Sequence, residues 1–402
     1  MHELVIVLSD LYLSQESPER ELPAGVSLPG LQHAARSGAR SRIAGGWRSW
    51  LARWLTGREA GGPAAVAAAA LQVLRPSIVW MATPVHLIAG LTSVHVDRRS
   101  ILRLDADDQT ALVADFQRVF HDSGFQLQPL ASGDFLMLGP QMPIADTPEP
   151  ARTLGAGIAD AQRSGAANPA LRRLGAEIEM WLHDHAVNDA RSRRGEPPVT
   201  ALWLWGAGSV VAADASDHAS GDRSNDTEAA GAPRAAGDRL HDGTASSPRT
   251  SGDTSINAAA GAPRDSGGAS NDAVAGVARA SASTSTDIAF GRDAYLQGLW
   301  ATRGAKVFPL PQQLADVFSY PQAQRAVLVI EIGLMLQSHP TWTFFDAVAQ
   351  IDRSFIAPAI EALNRGQCDR LVILANDYQL TLQARDRLKF WRRTPPGLSG
   401  LQ

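Results

Sequence analysis

Residues 212–288 hold almost no aromatic or large aliphatic side chain, and Ala, Gly, Ser, Asp, Thr and Arg make up nearly all of the run. A segment this poor in apolar surface cannot offset the entropy of ordering its own backbone. It is therefore expected as a disordered insert rather than as part of a core. Within it AGAPRAAGD, starting at Ala230, is echoed by AGAPRDSGG at Ala260, the mark of a duplicated low-complexity tract. The tract divides the chain: residues 202–205 before it and the stretch from Gly291 onward both read as structured.

Outside the tract, apolar runs of strand length alternate with helical patterns. LVIVL at residues 4–8 has the length and β-branched content of a buried parallel strand, and it ends at Ser9 and Asp10. Helices are predicted at 28–38, closed by Gly38, at 63–74, which is Ala-rich, and at 107–123. A strand is predicted at 78–80. The segments 125–130 and 135–138 flank Ser132-Gly133-Asp134 as a β-hairpin. Leu171, Leu174, Ile178 and Trp181 recur at helical spacing within 168–185. Further on the order is strand 202–205, helix 294–303, strand 306–308, helix 311–318, strand 326–331, helix 342–364 and strand 370–374. This alternation implies an α/β fold with a mainly parallel sheet covered on both faces, and such folds bind ligands beyond the carboxyl ends of strands. Those ends are Asp10, Glu331 and Asn376-Asp377.

Composition narrows the function. Of 402 residues, 45% are apolar and 19% charged, and the net charge is −4. Nucleic acid is not expected as a partner, because phosphate-backbone binding needs a concentrated basic surface. The basic runs at 191–194 and 389–393 read as solvated helix ends. No apolar run approaches the ~20 residues a bilayer span requires. The single cysteine, Cys368, excludes an intrachain disulfide and any multi-cysteine metal site. With no signal-peptide pattern at residues 1–10, a cytoplasmic location is expected.

Several segments, in order, resemble the archaeal-type cofactor-independent phosphoglycerate mutases of the alkaline phosphatase superfamily. LVIVLSDLY is similar to that family's first strand and metal-binding aspartate. LPGLQHAARSGA is similar to its Pro-Asn-Leu-Asp-x-Leu-Ala-x-x-Gly segment. HDHAVNDARSRRGEPPVTALWLWGAG resembles its Asp-His-Pro-Val-Asn motif leading to a strand and Arg-Gly-x-Gly. IDRSFIAPAIEAL with LVILAND is similar to its closing metal-binding region. ATPVHL at residues 82–87, with EIEMWLHDHAVN and LWLWGAG, resembles the bacterial RpfE-type regulatory family, linked by name to pathogenicity factors. The resemblance implies an alkaline-phosphatase-like sheet formed by residues 1–75, 146–211 and 289–402. It also implies a smaller inserted α+β subdomain at 76–145, with the disordered insert at 212–288.

The mutases use two divalent metals, a serine nucleophile and arginines that hold the phosphoglycerate. Here the nucleophile's place reads Gly61-Gly62-Pro63, and Trp205 stands where the phosphate-holding arginine is expected. Asp10 matches a metal ligand, and Glu331 and Asp377 match with a shift. These three are the metal candidates, for a weakly held magnesium or manganese ion. An Asx turn or helix cap is the alternative role for Asp10.

Thr83, His86, His185, Asn188 and Arg191 are the ligand-binding candidates, for a small phosphorylated or carboxylate molecule. The alternative for the last three, with His183, is a helix cap. Trp47, Trp50 and Trp54 recur at helical spacing, either packed on the domain or offered to a protein partner. The leading expectation is a mutase-like regulatory or ligand-binding pseudoenzyme. A divergent metal-dependent phosphate-ester or phosphosugar enzyme and a protein-interaction module are the alternatives.

Overall fold

The computed structural model describes residues 1–13, 21–59, 61–73, 77–90, 93–142, 147–154, 169–210, 286–375, 377–388 and 398. The low-complexity tract up to residue 285, Asn376 and the basic run at 389–393 lie outside them. The strands are β1 (Glu3–Leu8), β2 (Ala39–Arg42), β3 (Ser77–Val85), β4 (Ile88–Ala89), β5 (Val94–His95), β6 (Gln126–Pro129), β7 (Phe135–Gly139), β8 (Ala201–Val210), β9 (Asp287–Phe290), β10 (Val307–Phe308), β11 (Arg325–Ile330), β12 (Arg370–Ala375) and β13 (Tyr378–Gln383).

The first sheet has the order β10-β9-β11-β1-β12-β13-β2. Its first five strands run parallel, with Leu4 opposite both Ala326 and Leu371, while β13 pairs antiparallel with β12 and with β2. Successive side chains on a strand point to opposite faces, so a strand covered on both sides must be apolar throughout. Leu4, Ile6, Leu8, Leu328, Ile330, Leu371 and Ile373 share a cluster with Leu31, Val348 and Ile360 of the helices on one face. Val5, Val7, Val327, Val329, Val372 and Leu374 meet Trp47, Leu51, Leu55, Leu296 and Trp300 on the other. Each fully buried side chain of this size contributes ~1.5–3 kcal/mol. Trp47 is thus part of the core, and Trp50 and Trp54 stack beside it with their indole N–H groups donating to Gln379 and Glu3.

The second sheet, β6-β7-β3-β8, is antiparallel throughout. The β6–β7 hairpin turns at Gly133, whose φ of +89° suits glycine. The strand expected at 202–205 does not join the parallel sheet. It extends over Ala201–Val210 and pairs with β3, because Trp203 and Trp205 complete an apolar face with Val79, Met81, Leu136 and Leu138. The opposite face buries Trp80 and Phe135 against Leu112 and Phe116 of helix Ala106–Val119 and Leu174, Ile178 and Leu182 of helix Pro169–His183.

The helix predicted over 342–364 runs unbroken over 344–364, as helix Phe344–Ile351, a π-helical turn over Asp352–Ile356 and helix Ala357–Asn364. Pro358 has no N–H to give, and the wider turn absorbs the missing bond. The helix predicted over 311–318 is a 3₁₀ segment, Leu314–Ser319. Among the described residues no helix is long and apolar enough to cross a membrane.

Helix Pro63–Ala70 joins the two sheets. It lies against β8 on one side and against helix Ala294–Ala301 on the other, at distances that exclude larger side chains. A Cβ on Gly298 would stand 1.9 Å from the Val66 carbonyl oxygen, and one on Gly208 2.6 Å from the Ala65 Cβ. Gly298→Ala is expected to cost about 1–3 kcal/mol or more, since backbone must move. Gly175→Ala, in an open helical position with nothing near its Cβ site, is expected to stabilise by ~0.5–1 kcal/mol. Urea denaturation of the two variants checks both.

Candidate functional site

The carboxyl ends of β1 and β11 face the second sheet across a narrow cleft lined by Ser9, Asp10, Arg48, Thr83, Arg103, Asp134, Glu149, Trp205, Asp293, Tyr295 and Glu331. β1 delivers Asp10 two residues past its last strand residue. Both of its carboxylate oxygens are taken by backbone amides at the start of helix Ile332–Ser338: Ile332 N–H to Oδ1 at 2.7 Å and Gly333 N–H to Oδ2 at 2.6 Å. An anion at that position is favoured by the free amides of the first helical turn. Arg98 donates to the carbonyls of Asp10 and Tyr12, pinning the same chain end.

Two buried guanidiniums organise the rest. Arg103 donates to Glu331 Oε2 from Nε at 3.0 Å and Nη2 at 2.8 Å, and to Asp134 Oδ1 from Nη1 at 2.9 Å. Arg48 donates to Glu149 at 2.7 Å and Asp293 at 3.0 Å. Its guanidinium lies over the Trp47 and Trp205 rings, 4.3 and 4.8 Å from their centroids. Burial alone would lower both arginines; their carboxylate partners outweigh it and hold them above their usual values.

The carboxyls shift too. Burial pushes Glu331 up to about 7 against the pull of Arg103, with Asp293, Asp134 and Asp10 adding to the rise. Burial likewise raises Glu149, against the pull of Arg48 and Arg152, and lifts Tyr295 to about 12.

The metal candidates are thus divided. Asp10 and Glu331 line one cleft but serve different partners. Asp377 lines a wider, adjoining outer cleft, where Arg152 holds it by two bonds of 2.7 and 2.5 Å. His339 stacks on Trp342 with ring centroids 3.9 Å apart. No three His, Cys, Asp or Glu side chains gather as metal ligands among the described residues. A tight two-metal centre of the mutase type does not fit this donor set, since each candidate carboxylate already meets protein donors.

Of the ligand candidates, Thr83 lines the cleft, where its Oγ1 accepts from Trp205 Nε1 at 2.9 Å. The others lie outside it and hold backbone. His86 Nδ1 is 3.1 Å from the Pro198 carbonyl, and His185 caps helix Ala186–Arg193 by accepting from the Val187 amide. Asn188 bonds the Leu182 and Val199 carbonyls and the Val199 amide. Arg191 donates to the Pro197 carbonyl and to Asp108. Together they staple a helix end to the entry of β8.

Sequence reasoning missed Arg48, Arg103, Glu149, Asp293 and Tyr295. Only Asp293 carries a local signal, as the N-cap of helix Ala294–Ala301. An added Cβ on Gly62 would stand 1.9 Å from the Ala207 carbonyl oxygen, so the packing excludes any side chain there.

Fold and cleft together define an α/β protein with a mainly parallel sheet, a second antiparallel sheet and a charged cleft between them. No protein-family model matches the chain, and no curated protein matches it. Among solved structures it is similar to the cofactor-independent phosphoglycerate mutase of Thermoplasma acidophilum, at 14% identity over 95% of this chain and 90% of that chain, with a TM-score of 0.34. It is also similar to a Pyrococcus horikoshii protein, at 10% identity over 95% of this chain and 87% of that chain, with a TM-score of 0.41.

Glu331 gives a pH signature. Its unfolded carboxyl titrates near the usual 4.5, while the folded one keeps its proton to about 7. The stability linked to that proton is therefore full below the unfolded value and is lost as pH rises through the folded one. Between about pH 5 and about pH 8, Glu331→Gln is expected to lose less melting temperature than the wild type, as thermal denaturation would show.

Proposed function

We propose that this chain is a mutase-like ligand-binding or regulatory protein without phosphoryl-transfer activity. One observation carries the reading: Asp10, Glu331 and Asp377, the carboxylates placed to hold metal, are each engaged by protein donors, with Asp10 on two amides, Glu331 on Arg103 and Asp377 on Arg152. Two-metal phosphoryl transfer needs such carboxylates free to clamp the attacking and leaving oxygens through the ions, and it needs a nucleophile beside them. Gly62 supplies no such nucleophile, and the contact with Ala207 leaves no room for one. The likeness of residues 82–87 and 177–188 to the RpfE-type regulatory family supports the regulatory side of this reading.

Turnover assays test it. With 3-phosphoglycerate and simple phosphate monoesters, in magnesium, manganese or zinc, no turnover above background is expected. Robust turnover that Asp10→Ala abolishes would overturn the proposal in favour of a divergent metal-dependent enzyme.

A further inference from the structure

We infer that His185 is a pH-sensitive latch on helix Ala186–Arg193, which is capped while the ring is neutral and uncapped when the ring takes a second proton.

The side chain is only 8% exposed, and each ring nitrogen has its own neighbour. Nδ1 accepts from the Val187 amide at 3.1 Å, which makes His185 the N-cap of the helix. Nε2 stands 3.5 Å from Asp115 Oδ2 on helix Ala106–Val119. Only the neutral ring with its hydrogen on Nε2 suits both, since a nitrogen that accepts cannot also carry a hydrogen. A second proton would go to Nδ1 and set one N–H against another at the Val187 amide. It would also place a positive charge where the free amides of the first helical turn already carry a partial one. Trp181 packs against the imidazole at a ring-centroid distance of 4.9 Å and holds its orientation.

From helix Ala106–Val119, Asp115 and Arg118 are the charged groups that act on the ring; His183, Asp184 and Asp189, its neighbours along the chain, are exposed. Burial has the largest effect and disfavours the charged ring, Asp115 opposes it, and Arg118 adds to it, so that His185 is held below its ordinary value. Asp115 is already occupied by the Trp181 indole N–H at 2.7 Å and by Arg118.

The helix is built to respond, because Val187 is the one apolar residue it buries and the rest of its hold is polar. Asn188 and Arg191 tie it to the Val199 and Pro197 carbonyls, just ahead of β8, the strand that carries Trp205 to the cleft. The capped state keeps its full advantage above the ordinary histidine value of 6.5 and loses it as pH falls through the lower folded value.

Hydrogen exchange of the full chain tests this, read at the amides of residues 187–194 as protection relative to intrinsic rates. Between about pH 7.5 and about pH 5 the wild type is expected to lose about fivefold or more of that protection, while His185→Asn, which caps without titrating, keeps it. Imidazole nitrogen NMR of the wild type gives a second reading that needs no variant: an unprotonated Nδ1 at neutral pH and a midpoint below 6.5. Equal wild-type protection at both pH values, an equal loss in His185→Asn, or a ring that carries its hydrogen on Nδ1 or titrates at 6.5 or above would overturn the inference.

Discussion

Arg103 holds Glu331 at the end of a parallel strand and Asp134 in the hairpin turn of the other sheet with one guanidinium. Most of what lies between the sheets depends on that bridge. A buried guanidinium is tolerable only while its partners are in place, and deleting one partner of such a pair typically costs ~3–5 kcal/mol. The turn is held for this contact: Ser132 donates to Asp134 Oδ2, and the space at Gly133 is closed by the Leu104 backbone next to Arg103. Arg48 repeats the device on the other wall, tying helix Gly46–Thr56 to Glu149 and to Asp293 at the start of helix Ala294–Ala301.

The second joint is steric rather than electrostatic. Helix Pro63–Ala70 can sit between β8 and helix Ala294–Ala301 only because a glycine stands at each close approach, Gly208 against Ala65 and Gly298 against the Val66 and Ala67 backbone. That closeness forbids a side chain at Gly62.

A cleft built this way is charged yet largely self-compensated. Its arginines are engaged on both sides, and its surplus is of carboxylate oxygens. Glu331 responds by holding its proton to about 7, because burial and the neighbouring carboxylates outweigh the pull of Arg103.

The sequence by itself determined the parallel core: apolar runs such as LVIVL, AVLVI and LVILA can only be strands buried on both faces, and they carry Asp10 and Glu331 to one end of a sheet. The Ser-Gly-Asp hairpin and helix Pro169–His183 were legible for the same local reason, turn chemistry and a 3.6-residue period. Tertiary structure alone decided that β8 joins the antiparallel sheet, because its apolar residues fit either sheet and only the pairing with β3 selects one.

It also decided the cleft. Arg103 meets Glu331 across 228 positions and Arg48 meets Asp293 across 245, and no local pattern announces partners so far apart. His185, Asn188 and Arg191 show the converse: a polar cluster close in sequence, chemically suggestive, yet spent on backbone at a helix end and at the entry of β8 and on Asp108. A motif read along the chain names the donors and acceptors. Which of them are left unpaired, and so able to take a ligand, is set by backbone that arrives from elsewhere in the fold.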